Sequence, residues 1–390
     1  MEPDSHGRET ETGLIGKANF PRSREVAYLD TAAEGLPPQN TQGAFARYYE
    51  AKATGTPGRR RLFAEESEVR QLAGRLLGTR GDRVALLSNA SEGLNRLAAS
   101  IAWQPGDEVL IDDLEFPSNV GVWLPLRDRG VVLRVVPSRD GVLCLEDFTA
   151  RIGPRTRVVS VSQVSYKTGT QLPFLPELSR EARRAGAFFC VDATQALGRV
   201  PVGVTGVDYL VASSYKWLLG VHGLGIVYLS PELEERLTPA AVGWYSVRDL
   251  FTPERFETFS YKSGAARLLL GMPNFPSMYA LREGLEYLLA IGIERIESAL
   301  RPLVRKLRSG LEDRGFALLT PARPEYASGI LSFAQADAED TGAKLEREGV
   351  IVWAGDGRVR MSVHLYNDES DVDRLFSALD RKSTARVSRL

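Results

Sequence analysis

The sequence predicts an α/β fold in which a mostly parallel, doubly wound sheet forms a large domain and a smaller α+β unit follows it. Three observations carry that expectation. Seven short apolar, β-rich runs alternate with helical patterns over the first two thirds of the chain, and such alternation is the signature of a parallel sheet covered by helices on both faces. The chain has 390 residues, more than one hydrophobic core usually organises. Beyond residue 276 the alternation gives way to a long amphipathic helix and a short set of strands and helices.

Taken in order, residues 1–20 are polar, lack apolar periodicity and are expected to be a mobile tail. The large domain is expected over 21–276, its first residues also joining the small domain. Its strands are VALLS, DEVLI, VVLRVV, RVVSVS, AFFCVD, VDYLVAS and GIVYLS, and helices are expected at EVRQLAGRLLG and LPELSREARRAG. The small domain, 277–380, opens with one long helix, PSMYALREGLEYLLAIGIERIESAL. Strands near GILSFAQ, VIVWAG and RVRMSVHL and helices near AEDTGAKLERE and ESDVDRLFSAL follow. Residues 381–390 are a basic tail.

Composition narrows the function. Hydrophobic residues are 43% and charged residues 25%, the range of globular chains with a sizeable core. A formal net charge of -1 without a basic stripe disfavours nucleic-acid or anionic-membrane partners. The two cysteines, Cys144 and Cys190, have neither disulfide-scaffold nor zinc-site spacing. The opening residues lack an apolar signal region and no stretch is long enough to span a membrane, so a cytoplasmic location is expected.

Ligands on open α/β sheets collect where strands end, and three such points stand out. In SNASEGLNRLAAS, Asn89 followed by Glu92 marks a helix start. The amides of Ala90 and Ser91 and the Ser91 hydroxyl would form an anion site there; alone, the segment reads first as an ordinary capped helix. In CVDATQALG a buried strand ends in Asp192, with Gln195 one turn on. A carboxylate so placed needs a partner, for which a protonated pyridine nitrogen and a helix amide serve equally well. In YLVASSYKWLLGVHGLGIVYL, Lys216 follows a strand and precedes Gly220, Gly223 and Gly225. It is either a surface lysine or a desolvated amine that condenses with an aldehyde. An anion cradle, a buried acid and a buried lysine are together the parts that pyridoxal phosphate requires.

VDATQALGRVPV followed by SSYKWLLGVHGLGIVYL resembles the cofactor signature of class V aminotransferases, the family of cysteine desulfurases, isopenicillin N epimerase and kynureninase. YLDTAAEGLPP, NASEGLN, EFPSN, SYKTG, RLLLGMPNF and RMSVHLYN fall in the same order as in that family. The resemblance implies pyridoxal-phosphate fold type I and a homodimer with sites at the interface. It places Ala90 and Ser91 on the cofactor phosphate with Ser213 and Tyr215, Phe116 over the pyridine ring, Asp192 on the ring nitrogen and Gln195 on the phenolic oxygen. Lys216 becomes the Schiff-base lysine and proton carrier, and Arg360 the clamp on the substrate carboxylate. His364 is read as a structural histidine before a catalytic one.

Two departures from the family bear on the reaction. Desulfurases carry a nucleophilic cysteine before the RMSVHLYN-type strand, whereas WAGDGRVRMS has none. Many relatives have a threonine where Met272 stands, leaving only a backbone amide for a phosphate contact across subunits. The implied activity is on an α-amino acid, as a C–S or other β/γ-elimination lyase or as an aminotransferase. An amino-acid epimerase, a kynureninase-like hydrolase and a cofactor-binding protein without turnover are the alternatives.

Overall fold

The computed structural model describes residues 17–381. All seven expected apolar runs become strands of one sheet: β2 (Val84–Leu87), β3 (Glu108–Asp112), β4 (Val132–Val136), β5 (Thr156–Ser162), β6 (Phe188–Asp192), β7 (Tyr209–Ser213) and β8 (Gly225–Leu229), with β1 (Ala27–Tyr28) lying outside it. Their order is β2-β8-β7-β6-β5-β3-β4. Only β8 runs antiparallel to its neighbours. Strands β6, β7 and β8 are buried along their whole length. That is why they read as unbroken apolar runs rather than alternating ones. The edge strand β4 is mostly exposed and carries Arg134 paired to Glu108 at 2.7 Å, a charge that discourages further strand addition.

One core lies on each face of the sheet. The helix Ala90–Ser100 seats against β7 and β8 because two glycines permit close approach. A Cβ on Gly93 would come within 2.7 Å of Val211, and one on Gly225 within 2.6 Å of the Asn89 backbone. This contact fixes where the N-terminus of that helix points.

The small unit holds β9 (Ile330–Ala334), β10 (Val350–Ile351), β11 (Trp353–Gly355) and β12 (Arg358–Ser362). These form the antiparallel sheet β11-β12-β9 and a parallel β1-β10 pair. The N-terminal segment therefore joins the small unit, through β1 and the Asp30–Ser362 bridge.

Two details differ from expectation. The long helix is two helices, Phe275–Ile291 and Ile293–Glu312, broken at Gly292, whose φ of 88° no helix accommodates; the first of them is tied to earlier segments by Arg282 to Glu65 at 3.0 Å and by Glu283 to Asn40 and Arg47. The N-terminal tail is shorter than 1–20: Lys17–Asn19 form a 3-10 turn and Phe20 is buried against Tyr287 and Tyr366. Residues 1–16 and 382–390 lie outside the described residues.

Candidate active site

The loops that leave β2, β3, β5, β6 and β7, and the loop that enters the antiparallel β8, surround a cavity of about 480 Å³. Of the residues singled out from the sequence, Ala90, Ser91, Phe116, Asp192, Gln195, Ser213, Tyr215 and Lys216 all line it. Sequence positions more than a hundred residues apart are brought together by strand order alone.

Lys216 is buried, with 8% of its surface exposed. Its position is set by β7 and by the Gly35 amide, which donates to the Tyr215 carbonyl at 2.8 Å. Nζ makes no hydrogen bond or ion pair among the described residues and lies 5.6 Å from the centroids of both the Phe116 and Tyr215 rings. Burial, and then the charge of Arg360, push its pKa down to about 8. About a tenth of this amine is thus neutral and nucleophilic at pH 7, far more than of an ordinary lysine.

Asp192 ends β6 and is buried; its Oδ1 accepts from the Thr194 amide at 2.8 Å. Burial raises its pKa, a sign that the carboxylate lacks a full counter-charge. Gln195 is locked in place: Nε2 donates to the Ala32 carbonyl at 2.9 Å and Oε1 accepts from Trp217 Nε1 at 2.7 Å, leaving one Nε2 hydrogen. Phe116 is 41% exposed, so it is not a core aromatic. It meets Tyr166 edge to face at 5.0 Å.

At the other end of the cavity, Asn89 caps the helix by accepting from the Glu92 amide at 2.8 Å. The Ser91 hydroxyl meets that of Ser118 at 2.7 Å, and the Ala90 amide donates to Ser213 Oγ at 3.3 Å. The Ser91 amide has no acceptor among the described residues. Glu92 is turned to Ser88 and Arg96, so its charge is compensated. Thr194, Ser118, Tyr166 and His222 also line the cavity and were not singled out from the sequence. His222 stacks on Tyr215 at 4.5 Å and contacts Glu34 at 3.1 Å. Its signal was hidden in GVHGLG, which reads as a glycine string.

Arg360 comes from β12 and does not line the cavity, although its charge acts on Lys216. It is 4% exposed. Nη1 donates to the Tyr166 carbonyl at 3.0 Å, Nη2 faces Asp30 at 3.6 Å, and Nε has no partner among the described residues. A surface pairing with Asp356 or Glu369 does not occur: Arg358 takes Asp356 and Lys306 takes Glu369. Asp30 is the missed residue of this group, its pKa raised to about 6 by burial against the opposing pull of Arg360. His364 is fully buried, its Nε2 donating to the Trp217 carbonyl at 3.0 Å. Burial, and then the charge of Arg199, hold its pKa down at about 3, and its Nδ1 is buried without a partner among the described residues.

A family comparison then decides what this cavity belongs to: the Aminotransferase class-V profile matches residues 27–375. The chain is a class-V aminotransferase-family enzyme. The cofactor that accompanies that membership is pyridoxal 5'-phosphate. A cysteine desulfurase of Klebsiella pneumoniae is 31% identical to this family member over 401 residues, covering 94% of this chain and 97% of that one. The apo cysteine desulfurase of Thermococcus onnurineus NA1 superposes with a TM-score of 0.87 at 25% identity, covering 96% and 98%. The cystine C-S lyase C-DES, solved with its product cysteine persulfide, superposes at 0.85 and 22% identity, covering 92% and 98%. A C-DES mutant with glycine covalently linked to its PLP cofactor gives 0.86 and 21%, covering 94% and 100%.

The residues of this class-V enzyme fit the cofactor by their own chemistry. The cavity offers an unpartnered buried amine, a buried carboxylate in need of a cation, and a helix N-terminus with a free amide and two serine hydroxyls. These match an aldehyde, a pyridinium and a phosphate. Neither cysteine lines the cavity. Cys190 is enclosed in β6, burial pushing its thiol far up, and Cys144 precedes the short helix Leu145–Thr149. The described residues include no group of side chains able to hold a metal ion, and no helix is long and apolar enough to cross a membrane.

Proposed function

We propose that this enzyme cleaves the C–S bond of a β-thio-substituted α-amino acid by elimination, releasing pyruvate, ammonia and a small thiol or persulfide. The observation that carries the reading is a buried, unpartnered Lys216 amine in a cavity whose described lining contains no thiol. A desulfurase parks sulfur on its own cysteine; here neither cysteine lines the cavity, and in this reading sulfur leaves with the product. For cystine the balance is cystine plus water to pyruvate, ammonia and cysteine persulfide.

In this reading Lys216 would hold the cofactor, and its Nζ, once freed, would take the Cα proton. Asp192 would pair with the ring nitrogen and keep a proton there. The Ser91 amide and the Ser91 and Ser213 hydroxyls would hold the phosphate with Tyr215, and the remaining Gln195 hydrogen would serve the phenolic oxygen. Phe116 would cover the ring. Arg360 grips the substrate carboxylate as a planar fork. The bound cofactor supplies an electron sink for the carbanion at Cα. Because the neutral amine is the reactive form, capture of pyridoxal phosphate by the apoprotein should rise with pH to a midpoint near 8. Stopped-flow absorbance measures this; a rate still climbing at the pKa of an ordinary lysine would refute the buried-amine assignment.

A cytoplasmic homodimer accompanies this reading. What supports the pairing of two chains is that Trp244, Phe251, Phe256, Phe259 and Met272 are exposed between residues 242 and 272, a segment rich in the large apolar side chains that interfaces favour. Sedimentation at micromolar concentration should show two chains, and a monomer would contradict it.

The test of the proposed reaction replaces Cys144 and Cys190 together by alanine. Turnover of cystine should stay within about twofold, apart from a loss of stability from the cavity left at Cys190. A stable double variant without activity, together with a persulfide trapped on the wild-type chain, would return the desulfurase reading.

A further inference from the structure

A second cavity, of about 550 Å³, lies between the helix Ile293–Glu312, the loop 320–328 and the start of β9. It shares no lining residue with the cavity around Lys216. Arg199 lines it and is 2% exposed. Among the described residues only its Nε is bonded, to the Val363 carbonyl at 3.0 Å, and Nη1 is buried without an acceptor. Burial pushes this guanidinium down to about 10, the mark of a cation that the fold leaves without a counter-charge.

The other charges at this cavity supply that counter-charge only in part. Glu297 offsets some of the Arg199 charge without forming an ion pair with it among the described residues, being taken by Arg301 at 2.6 Å, and Glu325 faces Arg323 at 3.9 Å. Arg308 is held by Glu312 and by the Thr320 and Pro321 carbonyls. Arg305 has no ion pair among the described residues. The walls between these groups are apolar: Val304, Pro324, Ile330 and Leu331. A guanidinium fork matches the two oxygens of a carboxylate, and apolar walls favour a ligand with a hydrocarbon body over a strongly hydrated inorganic anion. The volume is that of a small-molecule site.

We propose that this cavity binds a small organic carboxylate, its head on Arg199 and its apolar body against Val304, Ile330 and Leu331. The site is separate from the reaction and does not depend on which bond the enzyme breaks.

Calorimetric titration of the holoenzyme with phenylacetate and with hexanoate tests it, using inorganic phosphate as the control anion. The titrations are run in an Arg360→Met background so that the proposed substrate clamp cannot contribute. Saturable binding of one carboxylate per chain is expected, weakened at least ~10-fold by a further Arg199→Met and not displaced by phosphate. Ala322→Trp, at an exposed residue of the cavity lining, should block the same binding while leaving Arg199 in place, so the test stands even if Arg199→Met does not fold. Absence of saturable binding by both acids, binding indifferent to both substitutions, or equal displacement by phosphate would each overturn the proposal.

Discussion

Replacing Lys216 by alanine is expected to yield a folded protein whose turnover falls by about 10³-fold or more, since in the proposed reaction one side chain is both the covalent holder of the cofactor and the carrier of the Cα proton. The fold should survive for a reason visible in the site. Nζ makes no hydrogen bond or ion pair among the described residues, and its stem borders a cavity that already exists. Removing it breaks no polar network and deletes a charge that burial disfavours. The melting temperature should therefore move by only a few degrees. An added small primary amine should restore part of the proton transfer, which a merely structural lysine would not allow. Full activity in a cofactor-loaded Lys216→Ala protein would sink the assignment.

Arg360→Lys is expected to lower kcat/KM for an amino acid by roughly 30- to 4000-fold, corresponding to about 2 to 5 kcal/mol for breaking a partly buried, charge-assisted pair. Arg360 is nearly enclosed and fixed by the Tyr166 carbonyl and Asp30, so its fork is positioned before substrate arrives. A lysine ammonium offers no second parallel hydrogen bond. In the proposed reaction the same grip would also orient the bonds at Cα, so kcat should fall as well as KM rise. The decarboxylated amine, having nothing for Arg360 to hold, should be affected far less. Equal losses for the two compounds would mean that Arg360 only supports Asp30 and Tyr166.

Much of this site was legible because each of its residues follows a strand that the hydrophobic pattern had already located. Asp192 and Lys216 close buried runs, and a charged residue there demands an explanation before any neighbour is known. What the pattern could not display were contacts between distant segments. Asp30 sits in a motif noticed in the sequence, but nothing local couples it to Arg360, some 330 positions later; the parallel bridge between Asp30 and Ser362 of β12 does that. His222 was masked by its glycine neighbours. The long helix looked continuous because the apolar period runs on through Gly292, and only the backbone reveals the break. Lys17–Phe20 looked like tail because a single aromatic carries no periodicity, yet Phe20 fills a gap between Tyr287 and Tyr366. Arg199 lay in plain view in VDATQALGRVPV with no sign that it would be enclosed.

The account turns on elimination, and product stoichiometry tests it most directly. With cystine as substrate, pyruvate, ammonia and cysteine persulfide should appear in equal amounts, turnover after turnover, without an added amino-group acceptor. Alanine as the product, or a keto acid formed only once per site with the nitrogen retained by the enzyme, would contradict the account.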